Sequence, residues 1–403
     1  MMRFIFFFFA IFSSQPVFSQ PQSLQMSTKI ISHSKSFLGL QNDFRLSNKG
    51  TIKHHINYNL GNVSTNLVLN YDGYDKMTID GSYIQYVSEI VTYGLGAIDR
   101  HWSPSDRTSL ILSHNARPTK SIYLKFKNEF RYKWLPQNAN WSFEAFNGFT
   151  EGSLNNTKSM LFGARAIISP IEGFDIEFTQ TSQWGGKDYN NGLSNLGAIT
   201  ILNSNDSKFS NINKMSGFGI SYLKKINSNT LRIYGQAIGE DEAGSLPSCY
   251  AYLAGFEWSN EKNNHPITLG IEAVDTRTKY STYGNCGPNS FYNNHIYDYT
   301  NYGDTLAAAI DTESYSFEFF GQSKISPKIN VEYSTKLAVI NDKSWANHRL
   351  SSTRQSGFMN SLGMSWGNDN FNLTGNIYHQ DFILDKANIT DGYGIGFSSS
   401  IVF

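Results

Sequence analysis

The sequence predicts an all-β protein: a transmembrane antiparallel β-barrel of about 18 strands, of the kind that spans a bacterial outer membrane. Three observations carry that expectation. Apolar and polar residues alternate along many segments of about ten residues. The chain opens on an export segment. It closes on an alternating strand whose last residue is Phe403.

The export segment comes first. Arg3 supplies the positive charge, Ile5 through Phe12 form an unbroken apolar run, and Ser13-Ser14-Gln15-Pro16 breaks it. The run is too short for a membrane-crossing helix, which needs about 20 apolar residues. Residues 1–19 therefore read as a cleaved signal peptide and residues 20–403 as a single barrel domain. Nothing later in the chain reads as a transmembrane helix. The mean hydropathy of −0.37 is compatible with a barrel, because only alternate residues of each strand meet lipid. Aromatic residues make up 15% and charged ones 16%, a balance that suits sheet and argues against a disordered chain. The formal net charge of zero gives no reason to expect nucleic acid.

Alternation then assigns strands. Phe174-Asp175-Ile176-Glu177-Phe178-Thr179 places apolar residues at every second position, as do Ile329 to Val339 and Phe371 to Ile377. In the final segment, Tyr393, Ile395, Phe397, Ile401 and Phe403 share one face. A terminal strand of this kind ends on the periplasmic side, where turns are short, whereas outer loops are long. Reading backwards, connections 381–390, 341–352, 277–313, 240–247 and 185–214 are outer loops. Asn368-Asp369-Asn370, Ile325 to Lys328, 260–265, Asn227-Ser228-Asn229 and Ser169 to Gly173 are inner turns. Candidate strands nearer the start are 43–49, 52–60, 63–70, 76–86, 89–97, 108–113, 119–134 and 141–150. A secreted sandwich or solenoid is the competing architecture. Sandwich strands typically run to only about five or six residues.

Several segments are more distinctive than strand and loop. One is Tyr93-Gly94-Leu95-Gly96-Ala97-Ile98-Asp99-Arg100-His101-Trp102-Ser103-Pro104, followed by Ser109-Leu110-Ile111-Leu112-Ser113-His114-Asn115-Ala116-Arg117-Pro118. Others are Trp141 to Gly148, Leu161 to Arg165, Gln180 to Gly186 and Gly239 to Ser248. Together they resemble the capsule assembly Wzi family, most clearly over residues 90–260. The family's run reads D-R-W-W-G-P, then S-L-I-L-S-N-N-A-R-P. This chain departs from it at His101, Ser103 and His114. The resemblance implies an outer-membrane barrel that binds capsular or other surface polysaccharide in a lectin-like way and organises it at the cell surface, without catalysis. Better-known members carry an N-terminal helical bundle. The stretch from Gln20 to Thr92 shows little helical periodicity, so the bundle is expected to be reduced or absent.

Asp99, Arg100, His101 and Trp102 offer a sugar site, since sugars present apolar faces to Trp and hydroxyl rims to Arg. The competing reading is an Asp–Arg network satisfied inside the lumen, and it extends to Asn115, Arg117 and Glu144. Trp184, at an outer strand end, is either part of an aromatic girdle or a sugar platform. Glu240, Asp241 and Glu242 form an acidic outer loop with no EF-hand spacing, so a solvated turn is favoured over a Ca²⁺ site. Cys249 and Cys286 both fall near the outer side. A disulfide and two free thiols stand level there, because geometry cannot be read from sequence. No nucleophile elbow or zinc spacing is present, and His54 and His55 face opposite sides of a strand. No enzyme, metal or cofactor is expected. The expected partners are polysaccharide and outer-membrane lipid, with the chain acting as a monomer. A channel for small solutes is the alternative function, because a barrel of this size leaves an aqueous lumen.

Overall fold

The computed structural model describes residues 23–39, 50–72, 76–130, 139–151, 158–186, 192, 212–243, 246–261, 265–278, 286–294 and 296–403, without the side chains of 241–246. Eighteen strands close into one antiparallel barrel, and no helix occurs among the described residues. The wall begins with β1 (Ser23–His33), β2 (Thr51–Leu60), β3 (Val63–Asp72), β4 (Tyr83–Val87), β5 (Val91–Gly96) and β6 (Lys120–Phe130). It continues through β7 (Ala139–Phe149), β8 (Met160–Ile171), β9 (Phe174–Trp184), β10 (Asn213–Ile226), β11 (Asn229–Ala243) and β12 (Leu246–Asn260). It ends with β13 (Ile267–Asp275), β14 (Tyr315–Ser326), β15 (Ile329–Ile340), β16 (Gln355–Gly367), β17 (Phe371–Gln380) and β18 (Gly392–Val402). Every strand pairs with its chain neighbours. β1 also pairs with β18, from Ser27–Val402 to His33–Gly396, which closes the ring.

The alternation has a physical outcome. Ile233, Phe256, Ile271 and Phe319 lie side by side on β11 to β14 and all point outward. On β18, Tyr393, Ile395 and Phe397 are exposed while Gly394, Gly396 and Ser398 between them are buried. Exposed apolar rows all round a closed sheet form a lipid-facing belt, and the polar face is left to the lumen. Inner turns are tight, as between β8 and β9. There Gly173 adopts φ +78, and a Cβ added to it would stand 2.2 Å from the Leu223 carbonyl.

The strands read from alternation occur close to the expected positions, and the expected total of about 18 agrees with the structure. Four local expectations need comment. Residues 108–113 are not a strand; they belong to a segment inside the lumen. Residues 240–243 and 246–247 are not loop, because β11 and β12 extend through them, pairing Asp241 with Ser248 and Glu242 with Pro247. The segment 76–86 is divided into Met77–Thr78 and β4. The strand expected at 43–49 lies outside the described residues, and its place in the count is taken by β1. Alternation in β1 is weak, because Thr28 stands on its outward row and Ile31 on its inward one.

Ile271 sits midway along nine-residue β13, with Ile267 at its inner end. Ile271→Arg is expected to cost roughly 2–4 kcal/mol and Ile267→Arg no more than about 1 kcal/mol. Denaturant unfolding from lipid vesicles measures both, and equal costs would contradict the placement of the belt.

Candidate functional site

After β5 ends at Gly96, residues 97–119 leave the wall and cross the lumen before β6 resumes. Trp102, Leu110 and Ile111 become fully buried there. Gln236 of β11 holds two parts of this plug at once. Its side-chain amide donates to the Trp102 carbonyl (2.7 Å), and its oxygen accepts from the Leu110 N–H (2.9 Å). Arg100 Nε donates to Glu144 of β7 at 2.9 Å and another guanidinium N–H to Ser121 at 3.1 Å. Arg107 pairs with Glu318 of β14, the Ser105 hydroxyl donates to Glu272 of β13, and Arg232 of β11 meets Asp106 at 3.1 Å. Gly163 of β8 makes room for the packing, since a Cβ there would meet Phe146 at 2.3 Å and Trp102 at 2.9 Å.

A second segment folds onto the first. Residues 286–314 of the longest outer connection bury Phe291, Tyr292, Tyr297 and Tyr299. The Tyr292 and Tyr299 hydroxyls donate to the carbonyls of Leu110 and Ile111 at 2.9 and 2.8 Å. Asn115 donates to the Thr305 carbonyl at 2.7 Å. Arg117 grips Asp80 with two bonds of 2.6 and 3.1 Å and lies 3.8 Å over the Tyr302 ring. Cys249 of β12 and Cys286 form a disulfide, tying this connection to the wall.

The candidate residues therefore separate. Arg100, Trp102, Asn115, Arg117 and Glu144 are bonded or packed within the plug, with Arg100 and Trp102 buried, His101 half-buried and Asp99 exposed beside His114. Glu240 lies on β11 and accepts from the Tyr292 N–H; the side chains of Asp241 and Glu242 lie outside the described ones. Trp184 lies at the outer end of β9. It is buried against Met160, Phe162 and Ile212, with its indole N–H 3.4 Å from Asn147.

His101 and His114, two of the chain's departures from the family motif, stack with ring centroids 4.8 Å apart. His101 Nε2 donates to the Ser105 carbonyl at 2.7 Å, and His114 Nδ1 lies 2.7 Å from Asp99. Burial lowers the His101 pKa below 6.5, against the pull of Ser105 and Asp106. The Asp99 hydrogen bond raises that of His114, against partial burial.

Sequence reasoning missed a second feature. Five outer connections meet around a cavity of about 240 Å³ whose lining includes Phe37, Asn115, Asp304, Asp311, Arg349 and Lys386. Arg349 Nε donates to Asp311 at 2.8 Å, and a further N–H reaches Asn293 at 2.5 Å. Burial pushes the Asp311 carboxyl up, but Arg349 and His348 outweigh it and hold Asp311 below the usual carboxylate range. Apart from Asn115, these residues carry no local sequence signal, because they come from connections far apart in the chain, with only Asp304 and Asp311 sharing one.

Residues 29–392 match the family described as capsule assembly protein Wzi. The chain belongs to that family. Among solved structures, the Escherichia coli protein described as Wzi, an outer-membrane protein involved in group 1 capsule assembly and a carbohydrate-binding β-barrel, superimposes with a TM-score of 0.80. The match is 19% identical and covers 93% of this chain and 84% of that one. Pseudomonas aeruginosa OccD3 (OpdP) reaches 0.52 at 12% identity, covering 95% and 91%. A Klebsiella pneumoniae protein described as an uncharacterized 55.8 kDa protein in the cps region is 23% identical over 212 residues, 51% of this chain and 42% of that relative. The chain thus spans less than half of that relative's length in the match. This Wzi-family chain is an outer-membrane β-barrel.

Two outcomes are expected from the plug. His114, with its folded pKa raised, contributes stability that is fully present below pH 6.5 and lost as pH rises through its folded pKa. His101, with its folded pKa lowered, contributes stability above pH 6.5 that is lost as pH falls through its folded value. Histidine proton resonances followed against pH would place the two midpoints on opposite sides of 6.5; a shared midpoint would contradict the pairing. Separately, Gly163→Ala forces Trp102 and Phe146 apart and is expected to cost about 1–3 kcal/mol. Faster protease cleavage within 97–119 would report it.

Proposed function

We propose that this chain binds capsular or other surface polysaccharide at its outer mouth, in a lectin-like way, and helps to hold it at the cell surface. The observation that carries the reading is the plug. Residues 97–119 are bonded to β7, β11, β13 and β14 and packed against the described part of 286–314, which leaves the described parts of the outer connections as the surface above the plug. Membership of a capsule assembly family and the barrel shared with a carbohydrate-binding protein support it. The chain acts without catalysis, as a monomer surrounded by outer-membrane lipid, after removal of residues 1–19 and without a nucleic-acid partner. The Asp99–Trp102 motif and Arg117 serve by fixing the plug under the binding surface.

The channel reading has less support, because the lumen that barrel size offers is crossed by bonded chain. Purified protein in planar bilayers is expected to show no steady open pore. It should retain extracted capsular polysaccharide, and cells lacking the gene should shed capsule. A steady conductance, or unchanged capsule attachment together with no retention, would overturn the proposal.

A further inference from the structure

The cavity at the outer mouth has a chemistry that narrows what it accepts. Its rim is exposed at Ser36, Gly303 and Lys386, and its floor is buried at Phe37, Thr305 and Ile389. Its volume of about 240 Å³ lies below the roughly 300–1,000 Å³ of pockets that take drug-sized ligands. That size fits one or two rings of a chain, and its open edge lets the remainder continue outward. Gly303 leaves open space, with no atom within 4 Å of where a Cβ would stand.

Two of the connections that wall the cavity are tied to each other. The Lys386 N–H donates to the Leu350 carbonyl at 3.2 Å, and Leu384 and Ile389 bridge the base of that loop. Asp385 accepts from the Ser352 N–H and hydroxyl at 3.0 and 2.7 Å, locking the two loops together. A site that needs no rearrangement loses little ordering entropy on binding.

Charge decides the ligand class. The ionisable groups lining the cavity are Asp304, Asp311, Arg349 and Lys386, two acids and two bases. Arg349 is committed to Asp311, Asn293 and the Tyr292 carbonyl. Among the described residues, no excess of positive charge lines the cavity. Apolar Phe37, Ala387 and Ile389 stand beside the polar groups, a mixture that suits a ring with an apolar face and a hydroxyl rim.

We infer that this cavity seats an uncharged pyranose unit of the surface glycan. The inference rests on the polysaccharide-binding reading above and specifies where one sugar is held and of what kind. The test compares wild type with Ala387→Trp, which fills the cavity, and Asp304→Ala, which removes a polar lining group. The full chain in detergent is titrated with capsular polysaccharide extracted from the producing bacterium, at 0.05 and 0.5 M salt. Resistance of the folded barrel to detergent unfolding during unheated electrophoresis confirms that each variant is intact. Both variants are expected to bind at least about 10-fold more weakly. Wild-type affinity should change less than about threefold with salt, because no net charge is neutralised. Methyl glycosides of neutral hexoses should compete. Wild-type affinity in intact variants would overturn the assignment to this cavity while leaving polysaccharide binding in place. A steep loss with salt would overturn the uncharged class. Absence of binding by wild type would bring down the broader reading as well.

Discussion

Inside hydrocarbon every backbone N–H and C=O needs a protein partner. The pairing of β1 with β18, from Ser27–Val402 to His33–Gly396, meets that need by leaving the sheet no open edge. Much else follows from closure. A ring of eighteen strands must turn one side of each strand toward lipid, which is why Ile233, Phe256, Ile271 and Phe319 are exposed. It must also enclose a lumen wide enough to hold other structure.

Filling that lumen poses a second problem, since the inner wall is polar and the plug carries Trp102, Leu110, Ile111 and Leu112. The solution is segregation. Apolar side chains of 97–119 cluster with Phe146, Phe291 and Leu306, while the plug's backbone groups and charges reach wall residues such as Gln236, Glu144 and Glu318. Gln236 illustrates the economy of this arrangement. One amide satisfies a donor and an acceptor of a segment that has no ladder of its own. The stacked His101 and His114 belong to the same segment, so two positions at which the sequence departs from its family meet in space.

How much was legible follows from the range of each signal. Period-two alternation is local, so β9, β15, β17 and β18 could be read directly, and the terminal strand gave the direction of the others. Residues 108–113 misled because Leu110-Ile111-Leu112 has β-forming composition. The run is apolar on all sides, however, and a strand between lipid and a polar lumen cannot be. In the structure the Ser109 hydroxyl accepts from the Ile111 and Leu112 N–H groups, each at 3.2 Å, in place of a neighbouring strand. Trp184 could be placed at a strand end, but its burial depends on Ile212, across a long connection. Of the outer cavity only Asn115 was legible, because Phe37, Asp304, Arg349 and Lys386 become neighbours only after the barrel closes.

The bond between Cys249 and Cys286 spans 37 residues of chain, a loop whose closure contributes roughly 3–4 kcal/mol in a chain-entropy account. It can form only where thiols are oxidised, beyond the reducing cytoplasm. The segment over the plug is thereby tied to location: one of its fastenings is unavailable until the polypeptide has left the compartment that made it. A chain held back in the cytoplasm would retain every residue of the mouth and still lack the clasp that sets it.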